Sequence, residues 1–465
     1  MTSRSLNVAV VGSGISGLSC AWLLSRQHKV TLFEKDDRFG GHSHTVVVKG
    51  EDEQKAVPVD TGFIVFNEKT YPNLTAFFEY LGVPVAKTDM SFAVSIDQGR
   101  TEYAGTDLNG LFAQRSNLFN PVFWKMLIDL LRFYRASPTW EKLLAPDVTL
   151  GELLKTHKFS KTFINDHLVP MGAAIWSTPA SKMLDYPALA FLRFCQNHGL
   201  LQLTSRPQWM TVEGGSREYV SRIISQIQNA SEGSSTLQHS CVRKIKRYAD
   251  QVVITDIQGR EQAFDHVVMA CHADTSLRLL DEPDELEQLL LGSFTFQRNR
   301  AILHSDSSFM PRNTKAWASW NYLFNSQSHN QQKAEDDRGP SVTYWMNRLQ
   351  HLEGKPLFVT LNPDTDPREI HGSYLYDHPV FDTAALEAQQ RLWELQGRQR
   401  TWHCGAWFGY GFHEDGLQSG LAVAEALGGQ RRPWRVEGEN DRLVLPDYLT
   451  ARPSIRTDAG MDVRL

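Results

Sequence analysis

The sequence predicts an α/β protein organised around a Rossmann-like unit at residues 6–45. Three observations carry this. Leu6 to Val11 is a short apolar run of strand length and composition. Gly12, Gly14 and Gly17 follow at once in the spacing G-x-G-x-x-G, and Leu18 to Ser25 reads as the apolar body of a helix. Lys29 to Phe33 is a second strand, and it ends in Glu34, twenty residues past Gly14. Strand, glycine turn, helix, strand and acid in this order form a βαβ unit that binds a dinucleotide.

Each residue type has a physical task there. Gly12 permits the tight turn out of the strand, Gly14 lets a pyrophosphate approach the backbone, and Gly17 lets the helix pack close to the sheet. The helix N-terminus, with Ser16 in its first turn, presents N–H groups and a partial positive charge to phosphate. Glu34 can take both ribose hydroxyls of an adenosine and would repel a 2′-phosphate, which disfavours NADP; Lys35 stands beside it.

Composition bounds the rest. A chain of 465 residues has room for two or three domains or one two-lobed enzyme. The hydrophobic fraction of 41% is ordinary for a soluble protein. A net charge of −5 without a basic block argues against a nucleic-acid partner. No apolar run reaches membrane-spanning length, and no signal-peptide core precedes the first strand. Cys20, Cys195, Cys241, Cys271 and Cys404 are scattered, with no C-x-x-C, so no disulfide framework is expected. His157, His167 and His198 form no metal-ligand pattern. A reduced, cytoplasmic protein is the expectation.

After the second strand the chain reads E-K-D-D-R-F-G-G-H, with Arg38, Gly40, Gly41 and His42. This resembles the R-x-G-G extension of FAD enzymes in the flavin amine oxidase and phytoene desaturase superfamily. The resemblance implies FAD, with the arginine and paired glycines along its pyrophosphate and ribityl chain. Amine oxidases of that superfamily usually have arginine directly after the glycine pair, where this chain has His42.

The chain continues as a β segment at Thr45–Val48, an exposed charged turn at Glu51–Lys55, and a second β segment at Val57–Phe66. In the superfamily the piece VPVDTGFIVFN runs beside the flavin, which brings Asp60, Thr61 and Gly62 to the cofactor; an ordinary turn is the other reading. Asn73–Leu81 reads as a helix, and Ser91–Val94 with Thr101–Tyr103 as a hairpin. Residues 108–136 are aromatic and aliphatic, with Arg115, Lys125, Arg132 and Arg135 as cations. From Pro121, Phe123, Leu127, Leu130, Leu131 and Tyr134 recur at helical spacing, and Phe119, Trp124 and Ile128 widen that face. Two readings stand: a buried helix of a substrate lobe, or a helix that docks on a membrane surface, peripheral on its inner face. Residues 149–205 look helical and open on a capping-box pair, Thr149 and Glu152. Trp176 there lines a substrate cavity or packs a core.

WMTVEGGSREYV resembles the superfamily's second glycine pair followed by a helix, and the resemblance places a backbone contact to adenine at Val242. Residues 281–400 carry β-like runs at Phe294–His304, Ala316–Tyr322, Ser341–Met346 and Leu357–Leu361, dense in aromatics that include Tyr322 and Tyr344. They suit a sheet roofing an apolar pocket, or a core only. Thr401 to Gly429 resembles the C-terminal flavin motif: a strand ending at Cys404 and Gly405, an aromatic loop, and a helix starting near Asp415 or Gly416 with Leu417 behind it. Its N-terminus would face the flavin pyrimidine. Aligned on that glycine, Tyr410 and His413 occupy the two aromatic-cage positions of the family. Cys404 falls away from the usual covalent-link position, so noncovalent FAD is expected.

The implied plan is an amine-oxidase-like one: a discontinuous FAD-binding domain from 1–107, 206–280 and 401–432, a mixed substrate domain from a helical lobe, 108–205, and a sheet lobe, 281–400, and a charged tail, 433–465. PVDTGFIVFNEKTYPNL with CGAWFGYGFHEDGLQSG is similar to a group of mostly bacterial FAD-binding oxidoreductases whose genes sit beside cyclopropane-fatty-acid-synthase-like methyltransferases. That implies oxidation of an unsaturated or methyl-branched fatty acyl chain by hydride transfer to flavin N5. His42, His413 and Tyr410 are the candidate catalytic groups, histidine because its pKa lies near neutrality. A double-bond isomerase on the same acyl class, an amine oxidase and a flavin-binding accessory protein are the alternatives.

Overall fold

The computed structural model describes residues 5–49, 56–145, 147–176, 182–197, 199–202, 206–230, 233–324, 341–428 and 430–446. The predicted turn at 51–55 and most of the tail lie outside them.

The opening unit folds as its sequence reads. The strand Asn7–Val11 leads through the glycine turn into the helix Ile15–Leu24 and returns in the strand Lys29–Phe33. These strands join a five-stranded parallel sheet in the order Ser235–Leu237, Lys29–Phe33, Asn7–Val11, His266–Met269, Thr401–His403. The sheet thus gathers strands from four distant parts of the chain. Val8, Ala9 and Val10 are fully buried, which is why that strand reads as a continuous apolar run without alternation.

Two helices cross over this sheet at very short range. A Cβ on Gly17 would lie 1.9 Å from the Gly12 carbonyl, and one on Gly420, in the helix His413–Ala426, would lie 2.2 Å from the Ser16 carbonyl. Only glycine allows that approach, and it seats the C-terminal helix on the dinucleotide helix. Glu414, fully buried in its first turn, accepts from the amides of Asn73 and Leu74 and so caps the helix Pro72–Leu81.

A seven-stranded sheet forms the second lobe, in the order Ile370–Val380, Thr295–His304, Phe358–Leu361, Val342–Trp345, Trp320–Phe324, Phe92–Ile96, Thr101–Ala104. The hairpin of Phe92–Ile96 and Thr101–Ala104 corrects the expected domain boundary: it belongs to this sheet, paired in parallel with Trp320–Phe324. The eleven-residue strand Ile370–Val380 has no counterpart in the sequence reading. Gly372, Asp377 and Pro379 interrupt its pattern, and it survives because it is an edge strand, where proline breaks no ladder on the outer side. Conversely, the expected strand Val57–Phe66 ends at Asp60, and residues 61–65 run as loop.

The helical lobe contains the long helix Pro121–Leu143 and the helices Leu150–Thr156, Val169–Trp176 and Ala188–Asn197. The capping box is present: Thr149 Oγ1 accepts from the Glu152 amide at 3.2 Å, and Glu152 accepts from the Thr149 amide at 3.0 Å. In the long helix Phe123, Met126 and Phe133 face the core. Phe119, Trp124 and Ile128 do not widen that face; they point to solvent. The described part of the tail is packed: the Trp434 indole stacks on Trp22 with ring centroids 5.9 Å apart.

Candidate active site

The dispersed motifs meet in one cavity of ≈ 840 Å³. Its walls include Gly12, Gly14 and Ser16 of the glycine turn, Glu34 and Lys35 at the end of the second strand, then Arg38, Gly40, Gly41 and His42. Thr61 and Gly62, Val242, Gly405, Tyr410 and His413 complete it from the loops, and Tyr344 from the large sheet. Parallel strands deliver their carboxyl ends to one edge, so loops far apart in sequence converge there.

Local geometry explains each placement. Gly12 sits at φ +107°, and a Cβ there would lie 2.6 Å from the Ala270 carbonyl of the neighbouring strand. Beside Gly14, by contrast, nothing lies within 4 Å of a would-be Cβ, so the turn leaves open space at the helix N-terminus. The Glu34 carboxylate accepts from the Ser13 amide at 3.0 Å and from the Asp36 amide at 3.0 Å, which fixes it at the cavity edge. Buried Asp60 ties the flavin-side loop to the second glycine pair, accepting from the Ser216 amide at 3.0 Å and Ser216 Oγ at 2.7 Å. Burial raises its pKa to about 6, against those hydrogen bonds, which lower it. Thr61 Oγ1 lies 2.6 Å from the Tyr376 hydroxyl.

Imidazoles dominate the polar chemistry. His42 is held neutral by burial first and by neighbouring His378 second, with ring centroids 5.4 Å apart. Its Nε2 is buried and has no hydrogen-bond partner among the described residues. His378, whose Nδ1 accepts from the Asn299 side-chain Nδ2 at 2.9 Å, is lowered to about 4 by burial. His413 stacks on Phe63 at 3.8 Å, with Nε2 2.9 Å from Ser43 Oγ, and burial lowers it to about 3.

Not every predicted residue reaches the cavity. Gly17, Gly416 and Leu417 pack the helix crossing behind it. Asp415 is fully buried and committed elsewhere, accepting from the Phe412 amide at 2.7 Å and from Arg442 at 3.1 Å. Tyr322 lies in the lobe's core and does not line the cavity. Trp176 ends its helix, and its side chain is outside the described residues. Cys404 is fully buried and does not line the cavity either. Sequence reasoning missed His272, Tyr376 and His378, which do. No local motif marks them; two ride on the unforeseen edge strand.

The residues fit a flavin dinucleotide on two grounds already described: the open cradle beside Gly14, and a buried imidazole nitrogen at His42 that lacks a partner. Fold and site together define an FAD-binding protein. The model of the flavin containing amine oxidoreductase family matches residues 15–412, and the chain belongs to that family. Flavin-containing monoamine oxidase AofH of Mycobacterium tuberculosis is 28% identical over 269 residues, 56% of this chain and 55% of that protein. Polyamine oxidase 5 of Oryza sativa is 35% identical over 109 residues, 22% of this chain and 20% of that one. The chain thus spans about half the length, or less, of the curated relatives it matches. Among solved structures, a fatty acid isomerase of P. acnes that produces CLA superposes with a TM-score of 0.64 at 14% identity, covering 92% of this chain and 99% of that one. Cyclohexylamine oxidase of Brevibacterium oxydans gives 0.62 at 14% identity, with 91% and 100% covered. These structural likenesses carry the fold.

Proposed function

We propose that the protein oxidises an apolar, acyl-type substrate, desaturating a fatty acyl chain. The observation that carries this reading is the composition of the cavity away from the dinucleotide motifs. Met90, Ile175, Phe194, Leu200, Trp320 and Phe381 line it, and among the described lining residues the only carboxylates are Glu34, Asp36 and Asp377. Glu34 and Asp36 belong to the dinucleotide edge, and Asp377 is taken by Arg298 at 2.8 Å. An ammonium would lose its hydration on such walls without gaining a free carboxylate, whereas a hydrocarbon chain gains about 25 cal/mol per Å² buried.

When bound, FAD supplies the hydride acceptor, and its binding is expected to be noncovalent. The chain's own task is to hold the substrate, exclude water and receive the proton released from the neighbouring carbon. A neutral imidazole keeps one ring lone pair for that proton, and His42 is held neutral at the cavity wall, whereas the Nδ1 lone pair of His378 is engaged by Asn299. Tyr410 and His413 flank the same space.

The test is anaerobic mixing of the yellow protein with a panel of acyl lipids and amines, followed by its visible spectrum and product analysis. Bleaching by an unsaturated or branched acyl lipid, with a new double bond, is the expected result. Bleaching by amines alone would overturn it. A shifted double bond without bleaching would make the protein an isomerase of the same substrate class.

A further inference from the structure

The solvent face of the long helix carries an interaction surface that does not depend on what the cavity oxidises. Sixteen large apolar side chains are exposed among the described residues, and seven of them fall within residues 108–143. That density in so short a stretch is far from the scattered single residues of an ordinary surface. Phe119 is 87% exposed and Leu143 77%, at opposite ends of the helix Pro121–Leu143.

The helix is amphipathic twice over. Its core face is Phe123, Met126 and Phe133. Its outer face is a stripe at positions 121, 124, 125, 128, 132, 135, 139, 142 and 143, all exposed and spaced three or four apart or adjacent. The stripe holds Trp124 and Ile128 between Lys125, Arg132, Arg135 and Lys142, and no carboxylate. One acid lies beneath: buried Asp129 is shared by Lys125, at 3.0 Å, and Arg132. The stripe keeps a positive excess on a chain whose net charge is −5. The apolar end continues past the helix start, where the Trp124 indole donates to the Leu118 carbonyl at 2.9 Å and keeps Leu118 and Phe119 beside the first turn.

We propose that this face docks on an anionic phospholipid bilayer, with the helix in the plane of the interface. Exposed aromatic and aliphatic side chains enter the headgroup boundary, and the cations meet lipid phosphates. Charge complementarity selects this occupant over a second copy of the chain, since a two-fold contact would set the cationic stripe against itself. No described helix is long and apolar enough to cross a membrane, so the contact is peripheral. The long helix packs on Ala188–Asn197, whose Phe194 lines the cavity, so the docked face and the cavity share one lobe.

Cosedimentation of the full-length FAD-loaded protein with vesicles tests this, using phosphatidylcholine alone or with about one-third phosphatidylglycerol. Binding to the anionic vesicles, weakened by salt, is expected. Arg135→Gln with Lys142→Gln, both at exposed positions, should weaken it about thirtyfold. Phe119→Ser with Trp124→Ser should weaken it about tenfold or more, with the flavin spectrum unchanged. Equal binding to both vesicle types, no binding to either, or binding unaltered in the charge variant would overturn the proposal. So would a dimer in solution that the Phe119 and Trp124 changes dissolve.

Discussion

At the scale of single residues, the cavity's chemistry is set by burial acting on histidine. A free imidazole protonates near pH 6.5, whereas in the folded chain His378 is lowered to about 4, first by burial and then by repulsion from His272. Between those values the unfolded chain binds a proton that the folded chain refuses. Stability is therefore full above pH 6.5 and falls as pH drops through the window, with a slope approaching about 1.4 kcal/mol per pH unit for one such group. His378→Asn removes this site. Between pH 6.5 and 4.5 the variant should lose about 2 kcal/mol less stability than the parent, read from urea unfolding at each pH. His42 was legible in the sequence because it follows a glycine pair; His378 was not, because its neighbours are His42, more than three hundred residues away, and Asn299 on the paired strand Thr295–His304.

At the scale of elements, the crossing of the helices Ile15–Leu24 and His413–Ala426 is the joint on which the dinucleotide site rests. Gly420 permits it, and Gly420→Val would press two further carbons against the Ser16 carbonyl. Overpacking of this kind should cost about 3 kcal/mol. Because the first turn of the dinucleotide helix must shift to relieve it, the variant should also retain less FAD through gel filtration, measured beside its urea midpoint. The first element of this joint is written in a local glycine spacing. The start of the second is less so: the helix begins at His413, ahead of the expected Asp415 or Gly416, because the Asp415 carboxylate turns back to accept from the Phe412 amide. Edge position likewise hid Ile370–Val380, whose proline and glycine read as breakers until its place in the sheet is known.

At the scale of the whole molecule, the chain closes on itself through its last described segment. The Arg442 side chain, only 6% exposed, pairs with the fully buried Asp415 at 3.1 Å and donates to the Thr70 carbonyl at 2.9 Å. It thereby links the C-terminal helix to the loop before the helix Pro72–Leu81. Arg442→Ala leaves a buried carboxylate without its cation, and the expected loss is about 3–5 kcal/mol in urea unfolding. Arg442→Met with Asp415→Asn, which removes both charges, should recover most of it. The tail's lack of periodicity gave no sign of this role, since an ion pair needs a partner and not a pattern.

The sequence by itself determined the dinucleotide unit, and its resemblance to a known family implied the flavin class of the cofactor. The unit rests on residues within a few turns of each other, where spacing alone sets geometry. Only the tertiary structure decided that the hairpin Phe92–Ile96 and Thr101–Ala104 joins the large sheet, that Asp415 caps its own helix away from the cavity, and that Tyr322 is core while Tyr344 faces the cavity. The physical reason is the same in each case. Which side of a strand meets a cavity, and which partner satisfies a buried charge, is settled by elements that are neighbours in space and distant in the chain.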